Sequence, residues 1–413
     1  MGHRLWLLGK GKLGKVLLGG GVRTIEMAKF FSTQGWEVIL AMDACERELP
    51  QGVRFETLDS RLFAQFQPGD AVVTTTFLPP LFLFRLLFSR IPFQLDFFTT
   101  GAMENLETIR HSSWLKGLMV RRRTAAKYRL LLSRAELVYF STRQQLAFVA
   151  GMLYDRHEPR WAHIASRLPA VSRVVPMGVS DEPWTTGRAN PYLPQLQDRP
   201  IFLWGGGIWS WYDLETLLGA FKLLQDEGHP ACLYFLAGKN TSGLAALDAP
   251  VQKARDLSDR LGLTGRSVFF HMTPIAYQDV PAYLEHSVSG VMSNPATVES
   301  LGSWRTRLLQ TLWAGKPLVA SGYDPLTSQM AEAGAALMVE AGDVTGLSQA
   351  LRRVADEPQL REGMSRGSFA VGSKHRWSRI LSDLEKDLKA PGAFGNSGHR
   401  PSLLDALRFL IGI

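Results

Sequence analysis

Two arginines one residue apart, Arg305 and Arg307, lie in the stretch 299–317, ESLGSWRTRLLQTLWAGKP. The stretch follows an apolar run that reads as a strand over 288–292, moves into a helical pattern, and stops at Gly-Lys-Pro before a second apolar strand at 318–321. Such a unit presents backbone N–H groups and the positive end of a helix dipole at its loop, which suits an anion or a sugar. Guanidinium groups match phosphate geometry. The same residues would also make an ordinary strand–helix–strand unit with solvated arginines.

Glycine-rich turns after apolar runs are the next candidates. In WGGGIWSWYD (204–213), a strand runs into Gly205, Gly206 and Gly207, Trp209, Trp211 and Tyr212 follow, and Asp213 is placed to cap a helix. Glycines admit a phosphate or sugar close to the backbone, and aromatic faces suit apolar sugar or base surfaces. A purely structural aromatic plug is the alternative. GKGKLGK (9–15) matches both a dinucleotide fingerprint and a phosphate-binding loop. Val16 stands where the phosphate loop needs Ser or Thr, and Asp43 lies too far on for the usual ribose carboxylate. Attention therefore moves to Gly19, Gly20 and Gly21, read as a turn entering a helix over 22–34, with Arg23 just inside it.

These loops need elements to hold them. Apolar strands are expected at 4–8, 37–41, 71–75, 92–95, 137–140 and 173–176, with helices at 22–34 and 124–132. The pattern restarts after Pro191, with strands at 201–203, 232–237, 268–271, 288–292 and 318–321 and helices at 214–226, 244–261 and 280–286. Alternation of this kind implies parallel sheets covered on both faces, in two doubly wound Rossmann-like α/β domains. The 413-residue length agrees with two cores. The domains are expected at 1–190 and 198–372, joined by a Pro-rich linker at 180–200. A helix over 373–390 and a tail over 391–413 follow. Ligands in such folds sit at strand carboxyl ends, and the cleft between the domains is the default site.

Cys45 and Cys232 form no metal or disulfide pattern, and a reducing compartment fits. The opening residues lack a secretory pattern and read as a buried strand. The net charge of +8 is unevenly placed: residues 1–192 hold 25 Lys and Arg against 16 Asp and Glu, and the remainder 21 against 22. No nucleic-acid motif accompanies the basic half, so nucleic acid is not expected as a partner. An anionic membrane surface or a phosphorylated acceptor is favoured. TFLPPLFLFRLLFSRI (76–91) is too short and carries too many arginines to span a bilayer. Beside Arg121, Arg122 and Arg123 it reads either as a membrane-surface helix or as a buried one. The end of the tail, SLLDALRFLIGI, reads as an amphipathic helix that docks on protein or on lipid.

Several of these pieces together resemble the GT-B glycosyltransferases of family 4, retaining enzymes that use nucleotide sugars, and most of all a bacterial subgroup acting in surface-polysaccharide assembly. The pieces are GGGVRTIEMAKFF, QLDFFTTGAMENLE, STRQQLAFVAGML, VVPMGVSDEP, FLWGGGIWSWYDLETLL and RTRLLQTLWAGKPLV, in family order. Trp377 and the helix after it resemble the last helix of the family, which returns to the first domain. The resemblance implies that the second domain binds a nucleotide-diphosphate sugar and the first a saccharide or lipid-linked acceptor. It implies transfer with retention and no metal or other cofactor, in the cytoplasm or at the inner face of its membrane, for polysaccharide or lipopolysaccharide assembly.

By the same resemblance Glu299, Arg305 and Arg307 are catalytic, and Gly206, Gly207, Trp209, Ser303 and Gln310 bind the donor. Gly20, Gly21, Arg23, Asp96, Glu104 and Arg143 belong to the acceptor or phosphate loops. The chain departs from the family at Gly302 and Gln310, where most relatives carry two glutamates. The usual Lys after the second glycine loop is missing near Ser210, and Thr99 takes the place of an Asp. Arg305 and Arg307 are expected to supply the lost charge. These departures keep two alternatives open: a GT-B scaffold or sugar-binding subunit without catalysis, and a dinucleotide-dependent oxidoreductase built on GKGKLG.

Overall fold

The computed structural model describes residues 3–14, 19–103, 112–154, 159–236, 249–273, 275–389, 405–407 and 409. The chain divides into two compact units, Met1–Met177 with Trp377–Ile413, and Gly178–Arg376.

The first unit is built on a parallel sheet. Its elements are β1 (Arg4–Leu8), α1 (Gly19–Thr33), β2 (Glu37–Met42), β3 (Val53–Thr57), β4 (Ala71–Thr75), α2 (Pro80–Phe88), β5 (Gln94–Phe97), α3 (Trp114–Leu132), β6 (Val138–Phe140), α4 (Arg143–Tyr154), α5 (Pro159–Val171) and β7 (Ser172–Val174). The strand order is β3-β2-β1-β4-β5-β6-β7. The central strands are buried on both faces, as near-continuous apolar runs require. β3 was not expected, because its VRFET pattern is half polar, as suits an edge strand.

Other expectations shift by a few residues. Gly19, Gly20 and Gly21 form the first turn of α1 rather than a turn before it. The expected strand at 92–95 lies at Gln94–Phe97, and that at 173–176 lies at Ser172–Val174. α3 starts ten residues before the expected 124, at Trp114. The apolar stretch 76–91 is a helix over Pro80–Phe88 whose inner face, Phe82, Leu83, Leu86 and Leu87, joins the core.

The second unit carries β8 (Ile201–Trp204), α6 (Leu214–Asp226), β9 (Cys232–Phe235), α7 (Ala249–Arg260), β10 (Val268–Phe270), α8 (Val280–Glu285), β11 (Ser289–Ser293), α9 (Val298–Gly302), α10 (Leu308–Trp313), β12 (Leu318–Ser321), α11 (Pro325–Glu332), β13 (Ala336–Val339), α12 (Val344–Asp356) and α13 (Pro358–Lys374). Its parallel sheet has the order β10-β9-β8-β11-β12-β13. The order reverses between β8 and β11, so a crevice is expected outside their carboxyl ends. The expected single helix after β11 is two short helices, α9 and α10, with 303–307 between them.

Residues 178–200 are counted with the second unit rather than as a free linker. Tyr192 donates its hydroxyl to the Tyr283 carbonyl at 3.0 Å, and Arg188 pairs with Glu285 at 3.1 Å. The returning helix, α14 (Trp377–Leu388), begins where the chain re-enters the first unit and belongs to that unit. Trp36 Nε1 donates to Glu385 at 3.2 Å, and Arg173 pairs with Asp387 at 2.9 Å. The described part of the tail also docks on protein. Asp405 forms a buried pair with Arg129 at 3.0 Å, and Ala406 and Phe409 join the first core. No helix among the described residues is long and apolar enough to cross a membrane.

Candidate functional site

The loops that leave β8 and β11 carry most of the residues expected to bind a donor. After β8 the chain turns at Gly206, whose φ of +129° suits glycine, and its N–H donates back to the Trp204 carbonyl at 3.1 Å. Trp209 and Trp211 then stack, ring centroids 5.3 Å apart and 7° from parallel. Asp213 caps α6 through the Thr216 N–H at 3.0 Å, as its position in the sequence predicts.

After β11, Thr297 caps α9 through the Ser300 N–H, and this places Glu299 inward, 3% exposed. Arg305, 4% exposed, folds back onto it. Its Nη1 donates to Glu299 Oε1 at 2.9 Å and its Nη2 to Oε2 at 2.8 Å. Ser303 Oγ donates to the same Oε1 at 2.7 Å. Burial alone would lower the Arg305 guanidinium, but Tyr212, Glu299 and Asp324 together hold it above its ordinary value. Arg305 therefore fixes Glu299 instead of standing open to solvent.

Arg307 is placed differently. Its guanidinium carbon lies 4.4 Å from the Tyr212 ring centroid and 4.6 Å from that of Trp204. Its Nη2 donates to the Gly207 carbonyl at 2.7 Å, which ties the β11 loop to the β8 loop. Its Nη1 is shielded from solvent and has no partner; neither does Arg305 Nε or Trp211 Nε1. Buried donors are nearly always satisfied, at a cost of about 1–3 kcal/mol each when they are not. These three donors, and the Asn294 Oδ1 acceptor directly after β11, lie without partners beside the topological reversal. Gln310, on α10, is half-buried and makes no side-chain hydrogen bond among the described residues.

Asp324 supports this floor. It is 2% exposed and caps α11 through the N–H groups of Leu326 and Thr327, both at 3.0 Å, while Asn294 Nδ2 donates to it at 3.1 Å. Burial pushes its carboxyl above the usual range, with Arg305 pulling the other way. Sequence reasoning missed Asp324, and it read Tyr212 as an aromatic face for sugar or base rather than as the ring beside Arg305 and Arg307. The Asp-Pro start of a helix signals Asp324, whereas nothing in the sequence marks an aromatic ring lying under two arginines.

The residues expected in the first unit form another arrangement. Arg23 is 1% exposed and binds Asp96 in a fork, Nε to Oδ2 at 2.6 Å and Nη2 to Oδ1 at 2.9 Å, while Nη1 donates to the Pro176 carbonyl at 3.0 Å. Burial raises the Asp96 carboxyl, and Arg23 opposes the rise. Gly20 lets α1 approach Phe98, since a Cβ there would lie 3.0 Å from the ring. Gly21 sits in the same helical turn, and Arg143 is exposed at the start of α4. Glu104 lies outside the described residues. In the GKGKLG segment, Lys12–Leu13 pair with Ala44–Cys45, and Gly11 N–H donates to Asp43 Oδ2 at 2.9 Å.

No family model matches the chain. Over 137 residues it is 34% identical to the lipopolysaccharide core biosynthesis glycosyltransferase LpsD of Rhizobium meliloti, a match that takes in 33% of this chain and spans only 37% of that relative. Solved structures align over nearly the full length. Sucrose-phosphate synthase of Thermosynechococcus elongatus aligns over 94% of this chain and 99% of its own at a TM-score of 0.68 and 16% identity. A UDP-forming trehalose-phosphate synthase of Burkholderia xenovorans gives 0.69 at 13% identity, over 95% and 100%. The lipopolysaccharide glycosyltransferase WaaG gives 0.62 at 13% identity, over 93% and 99%. At these identities the likeness speaks to the fold, and the two Rossmann-like units are those of the GT-B architecture that the motifs implied.

Proposed function

We propose that this protein is a retaining glycosyltransferase that moves a sugar from a nucleotide-diphosphate donor to a saccharide or lipid-linked acceptor in cell-surface polysaccharide or lipopolysaccharide assembly. The observation that carries the reading is the set of buried, unpartnered donors on Arg307, Arg305 and Trp211 at the β8–β11 reversal. A diphosphate supplies the acceptor oxygens these donors lack. Arg307 is the group that would meet it, held ready by Tyr212, Trp204 and the Gly207 carbonyl. As the bond from the anomeric carbon to the diphosphate breaks, negative charge grows on the leaving oxygen, and a fixed cation stabilises it. The acceptor oxygen then bonds the same carbon from the same face, and its proton leaves on the diphosphate.

Glu299 is oriented by Arg305 and Ser303, and in this reading it accepts from sugar hydroxyls. Gln310 takes the ribose, and the Trp209–Trp211 stack faces the sugar or base. The acceptor side falls to the first unit, at the cytoplasmic face of an anionic membrane. Anabaena HepE, another protein of this fold, has been solved with UDP-glucose, which makes uridine donors the first to try.

The test is thermal stabilisation and turnover with a panel of UDP-, GDP- and ADP-sugars, with the anomeric configuration of the product read by NMR. At least one donor should stabilise the protein and transfer its sugar with retention. A folded protein that binds donors without turnover is the scaffold; one that binds none refutes the reading.

A further inference from the structure

The second unit carries a hollow remote from the loops after β8 and β11. It measures about 610 Å³ and is lined by residues 199, 225, 226, 228–230, 266 and 267. Three turns meet there. Arg199 precedes β8, His229 and Pro230 precede β9, and Arg266 and Ser267 precede β10. The strands of this sheet are parallel, so the hollow lies at their amino ends, opposite the carboxyl ends that carry Arg305 and Arg307. α6 ends beside it at Asp226.

Hydrogen bonds fix the walls. Arg199 Nε donates to the Pro230 carbonyl at 2.7 Å and its Nη1 to the Arg266 carbonyl at 2.6 Å, which clamps two of the turns. Ser267 Oγ donates to Gln225 Oε1 at 2.6 Å, and Gln225 Nε2 to the Gly262 carbonyl at 3.1 Å. The His229 side chain is 6% exposed. Its Nδ1 accepts the Ala231 N–H at 3.2 Å, which leaves the ring proton on Nε2, 3.1 Å from Asp356.

The charge left over is positive. Asp226, the acid of the lining, accepts from Lys222 Nζ at 2.6 Å, and Asp356 is engaged by His229. Arg199 Nη2 and the exposed Arg266 guanidinium make no hydrogen bond or ion pair among the described residues. The negative end of the α6 dipole opposes an anion here, but it is a partial charge against two full ones.

We propose that this hollow binds a small phosphorylated sugar, with its phosphate between Arg199 and Arg266 and its hydroxyls on the Asp226 carboxylate. The site is separate from the proposed transfer site and does not depend on it. Guanidinium forks suit phosphate oxygens. The volume falls within the roughly 300–1,000 Å³ of small-molecule sites, more than a bare phosphate fills. A sugar suits the lining better than a nucleotide, since His229 is its one ring and is held by its own hydrogen bonds, which leaves a base little to stack on. Carboxylate oxygens accept hydroxyls, and Lys222 offsets the charge by which Asp226 would repel the phosphate.

The experiment is calorimetric titration of the full chain, wild type and R266Q, with glucose 6-phosphate, glucose and inorganic phosphate. Wild type should bind glucose 6-phosphate at least tenfold more tightly than inorganic phosphate, and glucose not at all. The Arg266 side chain is exposed and unbonded, so R266Q should keep the wild-type melting temperature. It should lose about 10–100-fold in affinity, the worth of a hydrogen bond to a charged group. Hydrogen exchange locates the site: glucose 6-phosphate should slow exchange at 227–231 and 264–267 and leave 204–213 and 299–307 unchanged. No binding by wild type, undiminished binding by R266Q, or protection only outside these turns overturns the proposal. Inorganic phosphate bound as tightly as the sugar phosphate means an adventitious ion only and overturns it too. Donor-induced stabilisation should be the same in both proteins, so failure here is distinguishable from failure of the transferase reading.

Discussion

Arg23 and Arg307 each stand near a helix start in the sequence, yet the structure gives them different surroundings. Arg23 is saturated: Asp96 takes two of its nitrogens and the Pro176 carbonyl the third. It ties α1 to β5 and to the chain after β7, and each of its three nitrogens has a partner. Arg307 has one nitrogen on the Gly207 carbonyl, two aromatic rings beneath it, and one buried donor with no partner. In Arg23 every nitrogen is held by the protein, whereas in Arg307 one is not. Arg305 stands between them, forked onto Glu299 yet with Nε unmatched.

The comparison predicts stability effects first. Arg23→Ala and Arg305→Ala each leave a carboxylate almost without solvent or partner, so each should cost about 3–5 kcal/mol in denaturant unfolding. A loss under 1 kcal/mol at either site would mean that its carboxylate is not held as described. Arg307→Ala should do the reverse. Its melting temperature should stay near that of wild type, while turnover with the best donor falls about 10²–10³-fold. Turnover within a factor of three of wild type would place the leaving-group charge elsewhere.

Lys316, a half-buried cation, tests the same distinction through pH. Lys316 donates to the Glu285 and Ser287 carbonyls, both at 2.8 Å, and burial holds its pKa down to about 8, with Glu285 opposing, against 10.5 for the free side chain. The unfolded chain therefore binds more protons than the folded one between these values. The destabilisation is complete below pH 8 and fades as pH rises toward 10.5. Relative to Lys316→Met, wild type should gain up to about 3 kcal/mol across that range; parallel stability curves for the two proteins would contradict it. The smallest effect is expected from Ser303→Ala, which removes one hydrogen bond to Glu299 and should cost about 1 kcal/mol with a modest rise in KM.

The strands at the centre of both sheets were legible because burial on both faces demands long apolar runs, and β1, β4, β8 and β12 lie where those runs are. β3 escaped because its VRFET pattern is half polar, and β13 escaped although it is apolar, whereas the edge strands β7 and β10 were expected. The loop after β11 was identified as important, but its pattern did not distinguish one helix from two, and the break at 303–307 is what turns Arg305 back onto Glu299. Types and spacing selected the arginines; only packing separated the saturated pair from the unsaturated donor. Tyr212, which lies under both Arg305 and Arg307, carries no sequence signal for that role.

The most direct test of the central claim is calorimetric titration of wild type and Arg307→Ala with UDP, GDP and ADP, each beside its monophosphate. The account predicts that one diphosphate binds wild type at least tenfold more tightly than its monophosphate and loses about a hundredfold in Arg307→Ala, while the monophosphate changes little. Equal diphosphate affinity in the two proteins would contradict it.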